Sequence, residues 1–340
     1  MSYLNVYDTI PSFIQYFGGY IVTHLGIIVN ISVVIFTWKV PNPNETIEQR
    51  FITRISGLVN TFYGVTAAYA HPQVELSSNG HIFFRLYGYS KDIINGYIRI
   101  ASLYLFIASY IMVFSIISMG FIFRYYLLCK RTVIKRKQLV ISYIICFIYA
   151  IFTGVIYTLN FSYDVPLEIR KSVLINETIW IYEDPSFWNY VFIANGSVEI
   201  FYTTVFLYIS LTCSIYVSII ILVYKMKNLL KINKNSFSQK TLNLQKQFNK
   251  ILHVQSIAPI FVLLLPILLG AILTIVNVRF TGFGLFIILG LEGIPLVNGL
   301  SVIILTKEYR LRRTCVKNVF FKKTTTKNIL IRNNLSTKQF

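Results

Sequence analysis

Seven stretches of this chain, roughly 13–38, 51–70, 97–123, 138–160, 198–224, 251–275 and 283–305, are each apolar over about the 20 residues that a helix needs to cross a bilayer. Lipid offers no hydrogen-bond partner to an exposed N–H or C=O, so each stretch has to close its backbone bonds internally, as a helix. The expected fold is an all-α membrane protein, a seven-transmembrane helical bundle. Composition agrees: 55% hydrophobic residues, 13% charged residues and a mean hydropathy of +0.61 exclude an ordinary soluble domain. Short loops leave no room for a separate water-soluble unit, so the chain divides into an N-terminal segment 1–12, a bundle 13–305 and a tail 306–340. The first Lys or Arg is Lys39, and without a basic stretch ahead of it the first span is expected to stay in place rather than be removed as a signal peptide.

Basic residues beside span ends resist translocation and settle on the cytoplasmic side. Here 25 of them fall on one side of the spans: Lys39 and Arg50, then the runs Arg124 to Lys137, Lys225 to Lys250 and Lys307 to Lys338. Only Arg85, Lys91, Arg170, Lys171 and Arg279 fall on the other. With seven spans and a basic tail, segment 1–12 is expected to be extracellular and the C-terminus cytoplasmic. The loop between spans four and five carries Asp164, Glu168, Glu177, Glu183 and Asp184, and the sequon at Asn176 makes that residue a glycosylation candidate on an exported loop. The net charge of +19 is spread over loops beside spans, where it meets anionic lipid, so it calls for no nucleic-acid partner. The four cysteines, Cys129, Cys146, Cys213 and Cys315, lie in spans or on the basic side, which excludes a disulfide between outer loops; no metal-ligand spacing occurs either.

A charge at the centre of a spanning helix costs about 2.5–3.5 kcal/mol on insertion scales, so each one needs a reason. Arg54, Arg99 and Glu199 lie within a turn of a span end, from which a side chain reaches the interface. Glu292 has no such route: at about 1.5 Å per residue it lies roughly 14 Å below the outer end of span seven. It reads either as a ligand contact or protonatable switch, or as a neutral, hydrogen-bonded helix contact. Asn30, Asn60 and Asn298 share a depth of roughly 10–14 Å from the opposite face, which predicts a polar contact among spans one, two and seven. Pro259 and Pro266 in span six and Pro295 in span seven each remove a backbone donor and are hinge candidates. Tyr104, Tyr202, Phe206 and Phe286 fall in the outer halves of spans three, five and seven, as lining for a small, mainly apolar ligand or as plain helix contacts. Before span six, Leu244, Phe248, Ile251 and Leu252 alternate with Lys246 and Lys250, the pattern of a helical extension with one polar, basic face. In the tail, Tyr309, Leu311, Val316, Val319, Phe320 and Phe321 alternate with Arg310, Arg312, Arg313 and Lys317, the composition of an amphipathic helix on the inner leaflet.

Span three closes with Gly120-Phe121-Ile122-Phe123-Arg124-Tyr125-Tyr126, which resembles the Asp/Glu-Arg-Tyr end of the third helix in rhodopsin-like receptors. Taken with Leu242-Asn243-Leu244-Gln245-Lys246-Gln247 leading into Pro259, and with Pro295 followed by Lys307-Glu308-Tyr309-Arg310, the chain resembles the nematode serpentine chemoreceptors, the superfamily containing classes d, h and r. That resemblance implies a G-protein-coupled receptor for environmental small molecules, multi-pass in the plasma membrane of sensory neurons. Its partners are a small-molecule ligand, a heterotrimeric G protein and the bilayer. Arg124 and Tyr125 become the coupling residues, joined by Lys246 and Lys250, and no cofactor or enzymatic activity is implied. Three features depart from the rhodopsin-like pattern. Phe123 stands where an acidic residue would pair with the arginine, Pro295-Leu296-Val297-Asn298 replaces Asn-Pro-x-x-Tyr, and span seven has no lysine to hold retinal. A ligand-gated channel of the inverted seven-span kind is opposed by the basic tail, and a small-molecule transporter by the odd span count.

Overall fold

A computed structural model describes residues 10–39, 46–76, 82–90, 96–130, 132, 134–159, 161–162, 191–194 and 283–306. Between 213 and 272 it describes 213, 216–226, 228–229, 250–251, 254–255, 257, 261, 265, 269 and 272. Four long helices open the chain: α1 (Ile10–Lys39), α2 (Ile47–Ala70), α3 (Gly96–Cys129) and α4 (Arg136–Thr158). A shorter apolar helix, α5 (Tyr216–Met226), covers the end of the fifth apolar stretch and runs two residues past it. The last helix among the described residues, α6 (Phe283–Leu305), covers the seventh.

Among the described residues, four segments are long and apolar enough to cross a membrane: Tyr16–Lys39, Gly96–Leu127, Arg136–Thr158 and Gly284–Leu305. Helix α2 is as long but more polar. Its start is set by a capping box in which the Thr46 hydroxyl accepts from the Gln49 amide and the Gln49 side chain accepts from the Thr46 amide. Its polar residues are turned inward: Asn60, Thr66 and Gln49 are buried between its neighbours α1, α3 and α6.

Helix α3 is the central one, buried along most of its length, whereas most residues of α4 and α1 are not buried. Those exposed residues are large and apolar, Ile21, Leu25 and Ile28 on α1 and Ile141, Ile145 and Ile148 on α4, as expected of faces that meet acyl chains. With lipid as apolar as the side chains, helices associate through close van der Waals contact, and small residues allow it. A Cβ at Gly64 of α2 would come within 2.7 Å of Ile27, and one at Gly299 of α6 within 2.7 Å of Val29, so α1 lies tight against both helices.

The connections hold a small antiparallel sheet that the all-helical expectation did not include. Strands β1 (Pro72–Leu76) and β2 (Ile82–Leu86) form a hairpin, and β3 (Phe161–Ser162) and β4 (Val191–Ala194) extend it in the order β1-β2-β4-β3. Register pairs Val74 with Phe84, and Phe84 with Phe192. The loop after α2 is thus tied to the connection that follows α4. A hydropathy reading marks 71–96 only as a break between spans, but its β-branched and aromatic residues suit a pleated ladder.

Candidate functional site

Helix α6 carries Glu292 wholly inside the bundle. Its partner comes from α2, which ends at His71 in the left-handed conformation (φ 37, ψ 65), with the His71 amide donating to the Ala67 carbonyl. A left-handed histidine is an uncommon, strained C-cap, and such strain persists only where surrounding contacts hold it. Here the Nδ1 of His71 and the Oε1 of Glu292 are 2.7 Å apart, both side chains fully buried. Among the described residues, the second carboxyl oxygen, Oε2, and the other ring nitrogen, Nε2, have no hydrogen-bond partner.

Helix α1 closes over the pair. Gly19 sits against it so closely that a Cβ there would overlap Glu292 Oε2 and come within 2.5 Å of the His71 ring. One residue on, Tyr20 stacks on His71 with centroids 4.6 Å apart, and Tyr16 meets the same ring edge-on at 5.9 Å. Tyr87, immediately after β2, packs edge-on against Tyr16 at 5.2 Å. The Arg85 guanidinium lies 4.8 Å over the Tyr87 ring, and burial pushes Arg85 down to about 10. An aromatic shell thus encloses one buried histidine and one buried carboxyl where α1, α2, α6 and the sheet meet.

A turn along α6, Pro295 has no amide hydrogen, so the Leu291 carbonyl loses its helical donor. The Tyr63 hydroxyl of α2 donates to that carbonyl at 3.1 Å. Asn30 of α1 donates to the Pro295 carbonyl at 2.7 Å, and Asn298 donates to Asn60 Oδ1 at 2.9 Å. Gln255 reaches the Asn298 carbonyl at 3.2 Å. The asparagines therefore join α1 and α2 to α6 through two adjacent contacts rather than one three-way cluster.

At the far end, Arg124 is 6% exposed and lines a cavity of about 60 Å³ with Gln49, Thr53, Ser56, Gln255 and Thr306. That is room for a few waters. Tyr125 is half-buried, with the Lys225 ammonium 6.0 Å from its ring, and Lys250 is exposed. Of the aromatic candidates, Tyr104 packs where α3 meets Gly154 of α4, and Phe286 is 49% exposed on the outside of α6. Neither belongs to the shell around Glu292. Tyr202, Phe206, Lys246, Pro259, Pro266 and Asn176 lie outside the described residues. Arg54, expected at a span end, donates to the Thr37 carbonyl at 2.8 Å and lies over Trp38.

Sequence reasoning missed His71, Gly19 and Tyr20. The available signal was a histidine placed directly after a span and ahead of a proline, and a Gly18-Gly19 pair inside an apolar stretch.

A family described as "Serpentine type 7TM GPCR chemoreceptor Str" matches residues 14–313. Comparison with curated proteins finds no match.

Proposed function

Because this chain belongs to the Str family of serpentine seven-transmembrane G-protein-coupled chemoreceptors, we propose that it binds an external small molecule in the half of the bundle nearest the sheet and activates a G protein at the end where Arg124 lies. As a member it is a helical, multi-pass membrane protein of the chemoreceptor type. The finer reading has seven spans, the N-terminus outside and the C-terminus in the cytoplasm, and the skewed distribution of Lys and Arg supports it. Within it the sheet lies in the outer half of the bundle, Asn176 is a glycosylation acceptor, and Tyr202 and Phe206 add aromatic contacts to the ligand.

One observation carries the proposal: the wholly buried His71–Glu292 pair and the Arg124 cavity are linked along a single face of α6. Glu292, Pro295, Asn298, Val302 and Thr306 follow at intervals of three or four residues, which a helix stacks on one side. That face touches His71 at one end, Asn60 and Gln255 in the middle, and the cavity at the other. A helix with partners at both ends can transmit a shift, provided the ligand binds one arrangement more tightly than the other. Pro259 and Pro266 hinge the neighbouring sixth span, which swings outward and opens the Arg124 cavity to Tyr125, Lys246, Lys250 and the incoming G protein.

The test is a panel of small volatile and water-soluble compounds applied to cells that express the chain with a G-protein activation sensor. The expected outcome is a response from at least one compound that disappears in Arg124→Ala at equal surface level. A response indifferent to Arg124→Ala contradicts the proposal.

A further inference from the structure

Loops joining two spans ordinarily lie at the surface, and an antiparallel hairpin there commonly keeps one face in water. The β1–β2 hairpin does neither. Along one face His71, Gln73, Arg85 and Tyr87 are buried, and along the other Val74, Phe84 and Leu86 are buried as well. The second group belongs to the same continuous apolar cluster as Tyr63 of α2 and Leu103, Phe106 and Tyr110 of α3. The hairpin is therefore a part of the bundle interior rather than a cover laid over it.

Two glycines admit it. Gly88 sits against the last carbonyls of α2, where a Cβ would overlap the carbonyl oxygen of Tyr69. Gly284 sits under β1, where a Cβ would overlap the Val74 carbonyl. Backbone bonds from Tyr87 to His71, Gly88 to Ala70 and Ser90 to Tyr69, at 3.0–3.1 Å, dock β2 on the end of α2. The chain passes from α2 into the hairpin at His71, held left-handed and tied to Glu292.

We infer that the β1–β2 hairpin is a built-in occupant of the aromatic pocket between α2 and α3, latched by His71 and Glu292, and that an activating ligand is a small apolar or aromatic molecule that takes its place. The inference rests on the receptor reading above. The walls left behind are Tyr63, Leu103, Phe106 and Tyr110, with one polar spot where Thr66 and Ser109 hydroxyls meet at 2.7 Å. Apolar walls with few polar groups are what a small-molecule pocket requires.

Two glycine substitutions push the hairpin out from opposite sides: Gly88→Ala and Gly284→Ala. Gly293→Ala is the control, since among the described residues a Cβ there meets only Val22, at 3.7 Å. Two readouts are taken at matched surface level: ligand-independent G-protein activation, and labelling of Leu86→Cys by a membrane-impermeant maleimide. Expected are about tenfold faster labelling and a severalfold rise in basal activation in either hairpin variant, the size of a typical allosteric coupling, with no change in Gly293→Ala. Should one variant fail to reach the surface, the other stands alone. Faster labelling without raised basal activation, in a protein whose wild type responds to the compound panel, overturns the plug and leaves the receptor reading intact. Unchanged labelling in both variants overturns it too. Silence of every form toward G protein, wild type included, removes the receptor reading and the plug with it.

Discussion

The Nδ1 of His71 and the Oε1 of Glu292 lie 2.7 Å apart although 221 residues separate them in the chain, and neither side chain has any exposed surface. The contact fastens the end of α2, and the hairpin that follows it, to the middle of α6.

If the two residues stabilise each other directly, their removal is not additive. Each of His71→Ala and Glu292→Ala leaves a buried polar partner unsatisfied, at a cost of about 1–3 kcal/mol. The double variant is expected to cost less than the sum, with a coupling of about 1 kcal/mol or more in thermal unfolding of the detergent-solubilised protein. Additive losses contradict a direct interaction.

Gly19 permits the pair because it has no Cβ. Gly19→Ala should lower the unfolding temperature about as much as Glu292→Ala, while Gly293→Ala, with no described residue closer than Val22 at 3.7 Å, should leave it unchanged. Equal behaviour of the two alanines refutes the steric account.

Tyr63 and Pro295 form a second pair that acts at a distance. The proline leaves the Leu291 carbonyl without its helical donor, and the Tyr63 hydroxyl supplies one. Tyr63→Phe is expected to cost about 1–3 kcal/mol in the natural sequence, and less in Pro295→Ala, where the restored amide can reach the carbonyl. The same cost in both backgrounds argues that the hydroxyl does something else.

Asn60 and Asn298 should show the modest coupling usual for hydrogen bonds between membrane helices, about 0.6–1.7 kcal/mol in a double-alanine cycle. A coupling indistinguishable from zero would mean that this contact exchanges freely with water in the neighbouring cavity.

The helical membrane character was legible because lipid dictates it: a run of apolar residues has no other way to satisfy its backbone. Element ends were less so. Helix α2 begins at Ile47 on a Thr46–Gln49 capping box inside a polar stretch, and α3 continues past Arg124 to Cys129, where its residues leave the purely apolar zone. Hydropathy sees neither. The intramembrane carboxyl stood out by its cost, so Glu292 was readable as a residue with a task. Its partner was not, because the pairing depends on a three-helix packing that brings positions 19, 71 and 292 together. The hairpin went unseen for a related reason. Its alternation is short, and its burial on both faces follows from the bundle around it rather than from its own pattern.

The orientation rests on charge, and an epitope ahead of Pro11 tests it. Antibody should reach that tag on intact cells. Staining only after permeabilisation would invert the bundle and put the sheet in the cytoplasm.

The most direct test of the whole account is agonist-stimulated nucleotide exchange on a heterotrimeric G protein by the protein in lipid nanodiscs, compared between wild type and Arg124→Ala. The expected result is stimulated exchange in the wild type that falls to the unstimulated level in the variant, with agonist binding retained. Stimulated exchange of equal size in both would contradict it.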